Sequence, residues 1–129
     1  MASKKAIKDS KQDLAIKKTN AKVEEHLAEV TAKAEEQAKE FVKALEDVKA
    51  ENVKVYDVRG KSGLTDFFVA ATGAAAPHLK ALAKALPKAY RTSGDPESGW
   101  IVVDYIDVVV HVFSPEARAY YALEKLWEN

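Results

Sequence analysis

From Glu24 to Lys49 the chain holds neither Gly nor Pro, and apolar residues recur every three or four positions: Val23, Leu27, Val30, Ala34, Ala38, Phe41, Leu45 and Val48. That period places them on one face of a helix. Glu25, Glu29, Lys33, Glu36, Lys39, Glu40, Lys43 and Asp47 fill the other face. Glu29–Lys33 and Glu35–Lys39 are favourable i,i+4 pairs, and Lys39–Lys43 is a repulsive one. Between Val30 and Phe41 only alanines occupy the stripe, so the Phe41–Val48 end is expected to dock on the body. The earlier turns are expected to be exposed or to self-associate, although weak alanine positions argue against a stable coiled coil. In residues 1–22, Ile7, Leu14 and Ile16 are too sparse to bury much surface, which predicts a poorly ordered arm.

From Asn52 onward the period changes to two and turn residues appear. Val53–Val58 reads as a strand and Arg59–Gly63 as a loop. Asp66–Thr72 is nearly all apolar, as a central strand covered on both faces requires. Gly73 breaks it, and Pro77 opens a helix that runs to Leu86 with Leu79, Leu82, Ala83 and Leu86 inward, before Pro87 ends it. Tyr90–Thr92 is expected as a short edge strand and Ser93–Gly99 as a loop. Trp100–Tyr105 and Val108–Phe113 read as an antiparallel hairpin across Ile106-Asp107. Ser114, Pro115 and Glu116 start a last helix, with Ala119, Tyr120, Leu123, Leu126 and Trp127 expected on its inner face.

The predicted fold class is α/β, with an α+β-like mixed sheet: a small sheet flanked by helices and preceded by a long amphipathic N-terminal helix. Its divisions are a basic arm over 1–22, the helix over 23–50 and an α/β domain over 51–129.

Charge alters this picture along the chain rather than in total. The 129 residues carry twenty basic and twenty acidic side chains. Lys4, Lys5, Lys8, Lys11, Lys17, Lys18 and Lys22, however, face only Asp9 and Asp13 in the first 22 residues. A basic arm on an acidic body is a pattern of chains that touch RNA, and Lys4, Lys5, Lys17 and Lys18 are the candidate contacts. With no cysteine, disulfides, thiolate catalysis and Cys-ligated zinc are excluded. No apolar run approaches the roughly 20 residues that span a bilayer. The lysine-rich start lacks the apolar core of a secretory signal, and a soluble, cytoplasmic protein is expected.

Catalytic signals are few. Arg59-Gly60-Lys61-Ser62 holds the Gly-Lys-Ser of a phosphate loop, but Val55 stands where that loop needs its first glycine. His26, His78 and His111 lie on separate elements without metal-ligand spacing, so neither a metal site nor a cofactor is expected. His111 alternates with Val109 and Phe113 and reads as a hydrogen-bonded core or groove histidine; His78 sits at a helix start. Asp104 and Asp107 flank the hairpin turn, where paired carboxylates suit metal or acid–base chemistry, contact with a basic partner, or local turn bonding alone. Trp100, Tyr105, Tyr120, Tyr121 and Trp127 crowd the last thirty residues, and exposed members of such a cluster make interface anchors.

The stretches ALEDVKAE (44–51), YDVRGKSGLTDFFVAATG (56–73), HLKALA (78–83) and above all GWIVVDYIDVVVHVFSPEARAYYALEKLW (99–127) resemble the ribosomal silencing factors, the Iojap family. The resemblance spans about two-thirds of the chain. It implies a compact mixed sheet with helices, distantly similar to nucleotidyltransferases but without their catalytic residues. The implied protein is not an enzyme. It is a translation repressor that binds the large ribosomal subunit, through large-subunit ribosomal protein fourteen at the subunit interface, and so blocks joining of the small subunit. Asp95, Glu97, Asp104 and Asp107 are then candidates for meeting a basic protein patch, with Trp100 and Tyr105 as apolar anchors. His78, His111, Tyr120, Glu124 and Trp127 carry motif or support positions.

Three features depart from the family. The 78–87 helix is short, Ile106 replaces a usual glycine, and the N-terminal extension before about Glu35 has no counterpart. The alternatives are a nucleotidyltransferase-like nucleotide-binding enzyme, or a ribosome-assembly adaptor whose long helix recruits a factor or pairs as a homodimer.

Overall fold

The structure, a computed structural model, describes the backbone of residues 2–128 and the side chains of residues 21–128 other than Leu27. The chain divides into two compact units, Met1–Lys33 and Ala34–Asn129. Helix α1 (Ala2–Asp47) provides the backbone of the first and opens the second. In the first unit Val23 is exposed and Val30 half-buried. The candidate RNA contacts Lys4, Lys5, Lys17 and Lys18 lie outside the described side chains.

In the second unit α1 buries Ala34, Ala38, Phe41 and Leu45, each at most 2% exposed. Docking thus begins two turns before Phe41, because alanine lets the helix backbone approach the sheet closely. The helix ends at Asp47 rather than at residue 50. Lys49 takes a left-handed φ of 66°, and the N–H groups of Lys49 and Ala50 donate back to the carbonyls of Glu46 (2.9 Å) and Leu45 (3.0 Å). This is a Schellman ending, built here without the glycine that usually signals one.

The remaining elements are β1 (Glu51–Asp57), β2 (Phe67–Thr72), α2 (Ala76–Ala85), β3 (Arg91–Asp95), β4 (Trp100–Asp104), β5 (Val108–Phe113) and α3 (Pro115–Tyr121). The five strands form one mixed sheet in the order β1-β2-β5-β4-β3. Only β2 and β5 run parallel; the other neighbours are antiparallel. Central β2 is buried at all six positions, as its unbroken apolar run predicts. One sheet face packs Phe67, Val69, Ile101, Val103, Val108 and Val110 against α1 and against Leu79 and Leu82 of α2. The opposite face gathers Phe68, Ala70 and Phe113 with Ala117, Leu123 and Trp127.

β3 and the C-terminal helix also differ from the sequence expectation. The edge strand β3 extends through Ser93-Gly94-Asp95, and the expected loop shrinks to a 3₁₀ turn at Pro96–Ser98. Pairing with β4 is continuous from Arg91–Asp104 to Asp95–Trp100, so ladder hydrogen bonds override the turn propensity of these residues. The C-terminal helix also stops early. Ser114 caps its start by accepting the Ala117 N–H at 3.1 Å, but Ala122 adopts a φ of 48° and Leu123–Leu126 wind a separate 3₁₀ turn. That break resets the inward side. Tyr120 and Leu126 are 82% and 69% exposed, Ala119 is exposed, and Ala117 packs inward together with Leu123 and Trp127.

Candidate functional site

Strands β4 and β5 alternate strictly. Ile101, Val103, Val108, Val110 and Val112 point to the helices, leaving Trp100, Val102, Asp104, Val109, His111 and Phe113 on the opposite face. The register sets Trp100 across from Phe113, Val102 from His111, and Asp104 from Val109. On the edge strand, Asp95, Ser93 and Arg91 continue the same three rows. Trp100, Val102, Asp104, Val109 and His111 are all half-buried, and β3 beside them is exposed throughout. The result is an accessible patch with an apolar centre and a charged edge.

Aromatic rings organise that centre. Trp100 lies 4.6 Å from Tyr121 and 5.5 Å from Phe113, centroid to centroid, and the imidazole of His111 stacks on Phe68 at 4.4 Å. Trp100 and His111 are diagonal neighbours, within reach for large side chains, and the indole Nε1–H donates to His111 Nδ1 at 3.0 Å. An accepting Nδ1 places the imidazole proton on Nε2. Burial depresses the His111 pKa to about 4, against a small opposing pull from Asp104. Tyr120 is mostly exposed at the rim and meets Tyr121 edge-on at 5.1 Å.

The acidic residues divide. Asp95 is exposed beside Trp100 and accepts the Glu97 N–H at 3.0 Å; Glu97 is exposed on the same 3₁₀ turn. At the other end of the patch Asp104 accepts the Ile106 N–H at 2.7 Å and lies 3.8 Å from Arg91. Asp107 is half-buried in the hairpin turn, and its backbone carbonyl receives the N–H groups of Asp66 and Phe67.

Other candidates stand elsewhere. Tyr105 points to the helix side, where it packs on Phe41 at 4.2 Å and donates its hydroxyl to the Pro87 carbonyl at 2.5 Å; burial raises its pKa to about 12. It therefore does not share a face with Trp100. His78 bridges Val48 and Ala74, with Nε2 2.7 Å from the Val48 carbonyl and Nδ1 accepting the Ala74 N–H at 2.9 Å. Glu124 pairs with Arg118, and the half-buried Trp127 lies 6.2 Å from Phe68 with its indole N–H buried and unpartnered among the described residues.

Sequence reasoning missed Val102, Val109 and Arg91 as members of the patch. The alternation in WIVVD and VVVHVF, folded across Ile106-Asp107, was the signal that placed the two valines there. Arg118 left no such signal.

Among the described residues no three His, Cys, Asp or Glu side chains group as metal ligands. In the Gly60-Lys61-Ser62 loop the N–H groups of Lys61 and Ser62 donate to the Val58 carbonyl at 3.0 and 2.9 Å, so they are turned inward to the loop itself. Aromatic rings beside a charged edge suit the docking of another macromolecule.

Comparison with known proteins shows the family of the chain and the likeness of its fold. A family model described as "Ribosomal silencing factor during starvation" matches residues 31–129. A ribosomal silencing factor of Halalkalibacterium halodurans is 39% identical over 94 residues, covering 67% of this chain and 80% of its own length. A Mus musculus protein named mitochondrial assembly of ribosomal large subunit protein 1 is 32% identical over 98 residues, covering 67% of this chain and 43% of its own. A crystal structure of a Chromobacterium violaceum protein aligns with a TM-score of 0.68 at 34% identity, covering 72% of this chain and 84% of that one.

Proposed function

The chain belongs to the ribosomal silencing factor family, and on that footing we propose that it docks on the large ribosomal subunit through the Trp100 face and keeps the small subunit from joining. The observation that carries this reading is the half-buried patch of Trp100, Val102, Val109 and His111, flanked by exposed Asp95 and Glu97. An accessible Trp packed among other aromatic rings is a frequent hot spot. Ribosomal proteins are basic where they meet RNA, and exposed carboxylates favour such a surface through charge complementarity. Large-subunit ribosomal protein fourteen is the expected contact. The action is steric and non-enzymatic: a 14.2 kDa body occupies space that the small subunit needs, and no bond is made or broken.

The lysine-rich start of the chain is proposed to touch ribosomal RNA near the docking site. A truncation lacking residues 1–22 is then expected to bind with a shallower salt dependence. Among the described residues no helix is long and apolar enough to cross a membrane, and action in the cytoplasm belongs to the same reading. Large-subunit assembly is a second reading, favoured by the name of the mouse relative.

Pelleting the protein with purified subunits tests the docking role. Binding to large but not small subunits is expected, with Trp100→Ala weakening it by about 2 kcal/mol or more. Equal binding by Trp100→Ala would remove the face from the account.

A further inference from the structure

Ring contacts confine the plane of Trp100, and they carry no directional bond. Phe113 lies beside it at an interplanar angle of 27° and Tyr121 at 39°. Half a turn about the Cβ–Cγ bond keeps an indole in nearly the same plane while carrying Nε1 to the other side. That torsion is broad and roughly two-fold in proteins. A directional contact separates the two flips: Nε1–H donates to His111 Nδ1 at 3.0 Å. The acceptor is itself fixed in mid-strand, stacked on Phe68 and lying 5.7 Å from Phe113 at an interplanar angle of 15°.

We infer that His111 is the positioning residue of the docking face: its Nδ1 selects one of the two flips of Trp100 and so fixes which edge of the indole meets the ribosomal partner. The inference rests on the docking role proposed above for Trp100. An indole free to flip must be ordered when the complex forms, and that ordering weakens binding. A tethered indole is ordered beforehand. Neutrality of His111 is part of the device, because a protonated imidazole has no lone pair left to accept the indole N–H.

The tether is testable in the unaltered, full-length protein. An N–H···N hydrogen bond transmits a through-bond nitrogen–nitrogen coupling, so isotope-labelled protein is expected to show one between Trp100 Nε1 and His111 Nδ1. Its absence overturns the inference without recourse to any variant. Two variants then read its effect on docking. Asn carries its amide oxygen where His carries Nδ1, so His111→Asn keeps an acceptor, whereas His111→Leu fills similar space without one.

His111→Leu is expected to bind large subunits about tenfold more weakly, with the Trp100 indole N–H resonance moved upfield; Trp127→Phe assigns that resonance. His111→Asn is expected to bind within about twofold of the original protein, with the indole N–H resonance downfield of its position in His111→Leu. A folded His111→Leu protein that binds undiminished, or an Asn variant that binds no better than Leu, overturns the positioning role while the docking reading stands. An original protein that ignores large subunits but shows the coupling overturns the docking reading, and the inference with it.

Discussion

Arg118 meets Glu124 with two hydrogen bonds, Nε to Oε1 at 2.5 Å and Nη2 to Oε2 at 2.9 Å. The same guanidinium sends Nη1 to the Asn52 carbonyl at 2.7 Å and to Thr72 Oγ1 at 2.8 Å. Tyr56 adds its hydroxyl to Glu124 Oε2 at 2.5 Å. One ion pair therefore ties the C-terminal turn to β1 and β2, and that turn carries Trp127 beneath the aromatic face. Both side chains are nearly buried, at 13% and 14% exposed.

Removing the Glu124 charge leaves a part-buried guanidinium with only the Asn52 carbonyl and the Thr72 hydroxyl, a loss of about 2 kcal/mol. Glu124→Gln is expected to lower the urea midpoint accordingly. The pH dependence has a definite sign. The hydrogen bonds from Arg118 hold the Glu124 carboxyl below its ordinary range, ahead of the opposing effect of burial. Its contribution is thus complete above the unfolded value near 4.5 and fades as pH falls through the lower folded value. The difference between Glu124→Gln and the original protein should narrow in strong acid. An unchanged difference there contradicts the assignment.

His111 supplies a second pH effect in a different window. Its folded pKa of about 4 lies below the ordinary 6.5 because burial disfavours the charged ring. The unfolded chain then binds the proton more readily, so stability is complete above 6.5 and declines as pH drops toward 4. Urea titrations across that interval should give a flatter profile for His111→Asn than for the original protein.

At the hairpin tip Ile106 holds a φ of 75° and is 54% exposed. The Asp107 N–H donates to the Tyr105 carbonyl across it at 2.9 Å, making a tight γ-turn. A β-branched residue is strained there, typically by 1–3 kcal/mol. Glycine relieves the strain but gains entropy in the unfolded chain, so Ile106→Gly is expected to stabilise by about 1 kcal/mol. A destabilised Ile106→Gly in chemical denaturation contradicts this account of the turn.

Gly99 precedes Trp100 with a φ of 81°, and a Cβ there would stand 2.5 Å from the Ser114 hydroxyl that caps α3. Gly99→Ala must therefore strain the backbone and disturb the cap together. A loss of about 2 kcal/mol or more is expected, with the α3 amides exchanging faster by hydrogen exchange. Serine removal alone, as Ser114→Ala, should reproduce only the cap's share of about 1 kcal/mol.

Much of this architecture is legible in residue patterns, and the exceptions have physical causes. The apolar run of β2 and the alternation of β4 and β5 specify the sheet, because burial on one or both faces leaves little freedom in the pattern. The same alternation puts Trp100 and Tyr105 on opposite faces, five residues apart, and so removes Tyr105 from the patch. The endings of α1 and α3 were invisible because Lys49 and Ala122 occupy left-handed positions without glycine. Arg118 was invisible because a cation buried by long-range partners leaves no local period. Its acceptors Asn52 and Thr72 lie 66 and 46 residues away in sequence.

Subunit joining tests the proposed docking role itself. Purified large and small subunits, mixed with and without the full-length protein, are separated on sucrose gradients at magnesium concentrations that favour joining. The protein is expected to travel with the large subunit and to lower the joined fraction, and Trp100→Ala is expected to restore joining. Joining that proceeds unaltered at saturating protein would overturn the docking role.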